Sequence, residues 1–73
     1  MPHIYIEMNR IQEVIEEKGI TKASLAKQLN KSKATLSLYT NNQIQPPIPV
    51  LFQIAKLLNV DPRELLNVNP SIL

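Results

Sequence analysis

From Glu7 to Lys18, the apolar residues Met8, Ile11, Val14 and Ile15 fall on one helical face with charges opposite, which predicts a first helix closed by Gly19. Ahead of it, His3–Ile6 alternates in polarity and reads as a short strand or an extended lead-in. A second helix is expected from Lys22 to Leu29, with Thr21 as N-cap and Leu25, Ala26 and Leu29 inward. Asn30 tolerates the left-handed conformation that ends a helix sharply. Only Lys31 then precedes Ser32, another good N-cap. A third helix follows, from Lys33 to about Thr40, burying Leu36 and Tyr39.

Asn41 to Pro47 is a polar loop closed by proline. A fourth helix, about Ile48 to Leu58, is apolar almost throughout. Only Gln53 and Lys56 mark a wet side, so this helix is expected at the centre of the core, with Phe52 on its inner face. Pro49 sits in the first turn, where its missing N–H is harmless, and Asn59 ends the helix. Asp61-Pro62-Arg63-Glu64 combines an N-cap, a first-turn proline and a capping-box glutamate, and predicts a short fifth helix to about Asn67. The expected fold class is all-α: a compact five-helix domain.

Two short helices joined by a brief turn with a cap at each boundary make a helix-turn-helix signal at helices 2 and 3. Ala26 is small enough for a close helix crossing, Asn30 supplies the left-handed turn, and Leu36 stands where the third helix needs an apolar anchor.

Composition narrows the function. The 73 residues contain no cysteine and one glycine, which allows one small domain over 1–73, with 1–6 as an N-terminal extension and 68–73 as a C-terminal tail. Without cysteine there is no disulfide and no thiolate nucleophile or ligand, which favours a reducing, intracellular setting. The only histidine is His3, beside the N-terminus, and reads as an ordinary terminal residue. The chain is therefore expected to be no enzyme and to need no cofactor or metal. It shows no targeting pattern and no apolar run long enough for a membrane span, so a soluble, cytoplasmic, nucleoid-associated protein is expected.

The net charge of +2 hides an asymmetry. Residues 1–17 carry a net −3, residues 18–60 carry six lysines and no acid, and residues 61–73 carry a net −1. An acidic start and end thus flank a basic middle. Lys22, Lys31 and Lys33 cluster around one turn and suit a polyanion, whereas Lys27 and Lys56 read as solvated helix charges.

The run T-K-A-S-L-A-K-Q-L-N-K-S-K-A-T-L-S-L-Y-T-N-N at 21–42, followed by L-F-Q-I-A-K-L-L-N-V-D-P-R-E-L-L at 51–66, resembles the Xre family of phage-repressor-like (lambda repressor/Cro-type) DNA-binding domains. The resemblance implies that the third helix enters the major groove of double-stranded DNA while the second crosses the backbone. Carried onto this chain, it places Lys33, Ala34, Ser37 and Leu38 facing bases. Lys22, Lys31, Ser32, Asn41, Asn42 and Gln43 become candidates for phosphate, with the amides of the 41–43 loop as further donors. Ser32 and Thr21 are caps first. Tyr39 and Phe52 are core rather than stacking platforms. The sequence departs from the family in three respects. Asparagine stands at 30, 42 and 59 where glycine is usual, Leu38 stands where many relatives carry arginine or another polar residue, and Lys31 adds charge in the turn.

The resemblance implies a transcriptional regulator, acting as a repressor, in which a homodimer binds a palindromic operator. Leu66, Val68, Ile72 and Leu73 are candidate dimer-interface residues, or else they pack back on the protein's own core. A narrower alternative is an antitoxin that binds its operator and a toxin protein. A different one is a protein-interaction module that keeps the fold without binding DNA.

Overall fold

The computed structural model describes residues 7–67. The chain forms α1 (Ile11–Lys18), α2 (Lys22–Leu29), α3 (Lys33–Thr40) and α4 (Ile48–Leu58), then one 3-10 turn at Pro62–Leu65. Helix boundaries agree with the sequence pattern for α2, α3 and α4. They differ at the two ends.

α1 begins four residues later than expected. The Asn9 side chain causes this, because its Oδ1 accepts the Ile11 N–H at 3.1 Å and turns the chain immediately before the helix. Met8 consequently lies outside α1 and is exposed, while Ile11, Val14 and Ile15 form its buried face. At the other end, the expected fifth helix is a single 3-10 turn. Its start signal works as read: Asp61 Oδ1 accepts the Arg63 N–H at 2.9 Å, and the Glu64 carboxylate accepts the Asp61 N–H at 3.1 Å. The turn stops because Leu66 adopts an extended conformation and bridges to Asn9 in antiparallel fashion. Arg10 N–H donates to the Leu65 carbonyl and Asn67 N–H to the Met8 carbonyl, both at 2.9 Å. Backbone pairing with the segment before α1 thus replaces helix continuation.

Ile11, Leu25, Leu36, Ile54, Leu58 and Leu65 are fully buried, so every element sends at least one large side chain to one core. Burying each contributes about 1.5–3 kcal/mol relative to exposure. α4 packs on α2, α1 and the 3-10 turn, and α3 packs mainly on α2 and also on α1. α4 is central, as expected, but its wet side is wider than expected. Ile48 and Phe52 lie one turn apart on its outer face and are 66% and 56% exposed. Leu51, Ile54, Ala55 and Leu58 already fill the arc that faces the core. Phe52 therefore does not belong to the core, contrary to the sequence reading.

Gly19 and the three asparagines at 30, 42 and 59 have φ between 56° and 69°. The three positions where asparagine departs from the family are thus the three that need a left-handed residue. Asn30 and Asn59 close α2 and α4 in the same way, each cap donating its N–H back into the last turn.

Candidate nucleic-acid interface

The α2–turn–α3 unit is built from its caps. Thr21 Oγ1 accepts the Ser24 N–H at 3.1 Å, and Ser32 Oγ accepts the Thr35 N–H at 3.1 Å. Between them, Asn30 in the left-handed region lets Lys31 N–H reach the Ala26 carbonyl at 2.9 Å. Ala26 and Leu36 are both buried in the one core cluster, and α3 packs against α2. α3 then has a buried face of Leu36, Tyr39 and Thr40. Lys33 and Ala34 are exposed, and Ser37 and Leu38, one turn on, are half-buried on the outward side. The four residues expected to face bases therefore form one continuous outer stripe.

Electrostatically, the first turns of α2 and α3 contain no acid, and each helix opens on a lysine, Lys22 and Lys33. A cation at the positive end of the helix dipole is unfavourable by about 0.3–1 kcal/mol, so both ends present uncompensated positive potential. α1 and the 3-10 turn follow the opposite rule, with Glu13 and Glu64 in their first turns. Among the described residues, the ion pairs involve Arg10 and Arg63 only, and none of the six lysines. Arg10 pairs with Glu13 and Glu17 and donates to the Glu64 carbonyl, so it ties α1 to the 3-10 turn. Arg10 thus joins two elements and Arg63 pairs only within its own turn, whereas Lys18, Lys27, Lys33 and Lys56 are exposed and Lys22 and Lys31 half-buried, all without an ion-pair partner among the described residues.

Lys31 is half-buried in the turn, and Ser32 is exposed at the start of α3 with its hydroxyl also bonded to Thr35 Oγ1. The loop after α3 is arranged differently from expectation. The N–H groups of Asn41, Asn42, Gln43 and Ile44 all donate back to Ser37, Tyr39 or Leu38 carbonyls, so these amides close the end of α3. The Asn42 side chain is engaged with Asn9 and Gln45. Asn41 and Gln43 remain exposed. Sequence reasoning missed Asn9 and Gln45. The one available signal was Asn9 itself, an N-terminal signal residue two positions before Ile11. Its partners 33 and 36 positions away leave no trace in the pattern.

A helix-turn-helix family profile matches residues 11–65, spanning α1 through the 3-10 turn. The chain belongs to this Xre-type, phage-repressor-like helix-turn-helix family. It is similar to a solved structure from Bacteroides fragilis, described as that of a candidate DNA-binding protein, with 47% identity and a TM-score of 0.81. The match covers 82% of this chain and 97% of that one. Among curated proteins none matches. Within this helix-turn-helix domain, no group of three or more His, Cys, Asp or Glu side chains could hold a metal ion among the described residues. No helix among them is long and apolar enough to cross a membrane. Of the candidate dimer residues, Leu66 is 42% exposed. Val68, Ile72 and Leu73 lie outside the described residues, as do His3 and the expected His3–Ile6 strand.

Proposed function

We propose that the protein binds double-stranded DNA in a sequence-specific way and acts as a transcriptional repressor, as a homodimer on a palindromic site. The observation that carries this reading is the pair of acid-free, lysine-opened helix N-termini at α2 and α3. Such ends suit phosphate, which would turn their unfavourable charge placement into a favourable one. Lys22, Lys31 and Ser32 contact backbone phosphate, joined by Asn41 and Gln43 from the following loop. Lys33 reaches guanine O6 and N7, Ser37 donates or accepts at a base edge, and Ala34 and Leu38 touch thymine methyls. The B. fragilis relative, described as a candidate DNA-binding protein, supports the same reading.

One domain with so few base-facing residues binds weakly, and two on half-sites about 34 Å apart multiply the contacts. Leu66, together with Ile48 and Phe52 on the outer face of α4, offers apolar surface for a second copy. Selection of bound duplexes from a random pool tests the proposal. A palindromic consensus is expected, and recovery of no consensus contradicts sequence-specific reading.

A further inference from the structure

The loop between α3 and α4 sends its amide side chains in two directions. Asn42 and Gln45 turn inward to Asn9, which is 3% exposed. Asn41 and Gln43 are exposed and make no side-chain hydrogen bond among the described residues. The three inward amides close a ring. Asn9 Nδ2 donates to Gln45 Oε1 at 2.7 Å, and Gln45 Nε2 donates to Asn42 Oδ1 at 3.0 Å. Asn42 Oδ1 also accepts the Asn9 N–H at 2.9 Å, and Asn42 Nδ2 donates to the Asn9 carbonyl at 3.1 Å. Asn9 Nδ2 reaches the Tyr39 carbonyl at 3.0 Å as well, so the ring is anchored to the last turn of α3.

We propose that the Asn9–Asn42–Gln45 ring is a positioning device. It fixes the loop after α3 so that the Asn41 and Gln43 side chains stand ready to donate to one backbone phosphate of the duplex. The inference rests on the DNA-binding reading above. The backbone amides of residues 41–44 are already engaged, so at Asn41 and Gln43 only the side chains can make that contact. A flexible loop would have to be ordered at the moment of binding, and a preformed one avoids that loss. The ring is neutral. It therefore acts through geometry and releases no counterions, unlike a lysine on phosphate.

A double-mutant cycle in the full chain tests this, on a selected duplex and on an unrelated one, over a range of salt. Asn42→Gly removes the ring while keeping a residue at ease with positive φ. Gln45→Ala opens the ring at one corner, keeping the Asn9–Asn42 pair and that φ, and serves if the first variant is poorly folded. Thermal melting establishes that each variant is folded at the assay temperature. Replacing Asn41 and Gln43 together by alanine is expected to weaken binding about tenfold, the ordinary value of one or two hydrogen bonds. In either ring variant the same replacement is expected to weaken binding less than twofold. Ring loss itself should weaken both duplexes alike and leave the salt slope unchanged.

An equal effect of the loop replacement with and without the ring would overturn the inference, as would no effect in the wild-type ring. In both cases wild-type DNA binding persists, so the reading of function stands. Absence of wild-type duplex binding at low salt would overturn both.

Discussion

Asn9 and Asn42, 33 positions apart, exchange two hydrogen bonds: the Asn9 N–H donates to Asn42 Oδ1 and the Asn42 Nδ2 donates to the Asn9 carbonyl. The side-chain amide of Asn42 thus takes the place a facing strand's peptide would occupy. On its other side, the same segment pairs with Leu65–Asn67 through backbone bonds from Arg10 and to Met8. Asn9's own N–H and carbonyl point away from that bridge, and Asn42 satisfies both. This local arrangement joins the start of α1, the end of α3 and the residues after the 3-10 turn.

The three left-handed asparagines are accordingly not equivalent. Asn30 and Asn59 are exposed and act through their backbone alone. Replacing either by glycine is expected to change unfolding free energy by no more than about 0.5 kcal/mol. Asn42→Gly is expected to cost about 1–2 kcal/mol, because it leaves the Asn9 N–H without its acceptor and the Asn9 carbonyl with only the long contact from Asn67 Nδ2. Asn42→Ala should cost roughly 1 kcal/mol more, from left-handed strain. Urea denaturation midpoints for the four variants measure the difference.

Phe52 tests the corrected view of α4. Phe52→Gln is expected to leave stability within about 0.5 kcal/mol of the parent, as an exposed substitution does. Ile54→Ala, two positions on at a fully buried site, is expected to cost about 2–5 kcal/mol. Thermal or urea unfolding of the two single variants separates them. A large loss at Phe52 in dilute monomer would contradict its placement.

The caps of the helix-turn-helix should carry measurable stability. Thr21→Ala and Ser32→Ala each remove the acceptor for one helix N–H and are expected to cost about 1 kcal/mol. Because the two caps serve different helices, the double variant should lose close to the sum. Denaturant unfolding of both singles and the double checks this.

Asp61 contributes a small acid sensitivity. The Arg63 side chain, followed by its backbone N–H, holds the Asp61 carboxyl below the usual carboxylate range. A group whose pKa is lowered by folding stabilises when ionised. That contribution is present above its unfolded pKa and is lost as pH falls through the folded value. Asp61→Asn keeps the cap and removes the charge. The melting temperatures of parent and variant should therefore differ near neutral pH and converge in strong acid.

Most of the fold was legible because local rules and tertiary packing agree. Thr21, Asn30, Ser32, Asn59 and Asp61 punctuate the chain through bonds to neighbours within a turn or two, and such bonds leave a sequence signature. The errors arose where distant partners decide. Met8 fits the period of α1, but Asn9 ends that period by binding Ile11 on one side and Asn42 on the other. Leu66 fits a fifth helix, but pairs with Asn9 instead. Phe52 is as apolar as its neighbours, and only the three-dimensional count of faces leaves it outside. The outer stripe of α3 was readable because it is the complement of a buried face that periodicity reveals. The engagement of the 41–44 amides was not, since it depends on how α3 terminates.

The most direct test of DNA recognition is the salt dependence of duplex binding by the wild-type chain and by Lys22→Ala and Lys33→Ala, read by fluorescence anisotropy. Wild-type affinity is expected to fall steeply with salt. Lys22→Ala should weaken all sequences alike and flatten the logarithmic slope by about one unit per protomer. Lys33→Ala should instead cost about 1–3 kcal/mol on the preferred sequence and relax preference at one base pair. Duplex binding that is undetectable at low salt, or unchanged by both substitutions, would contradict the account.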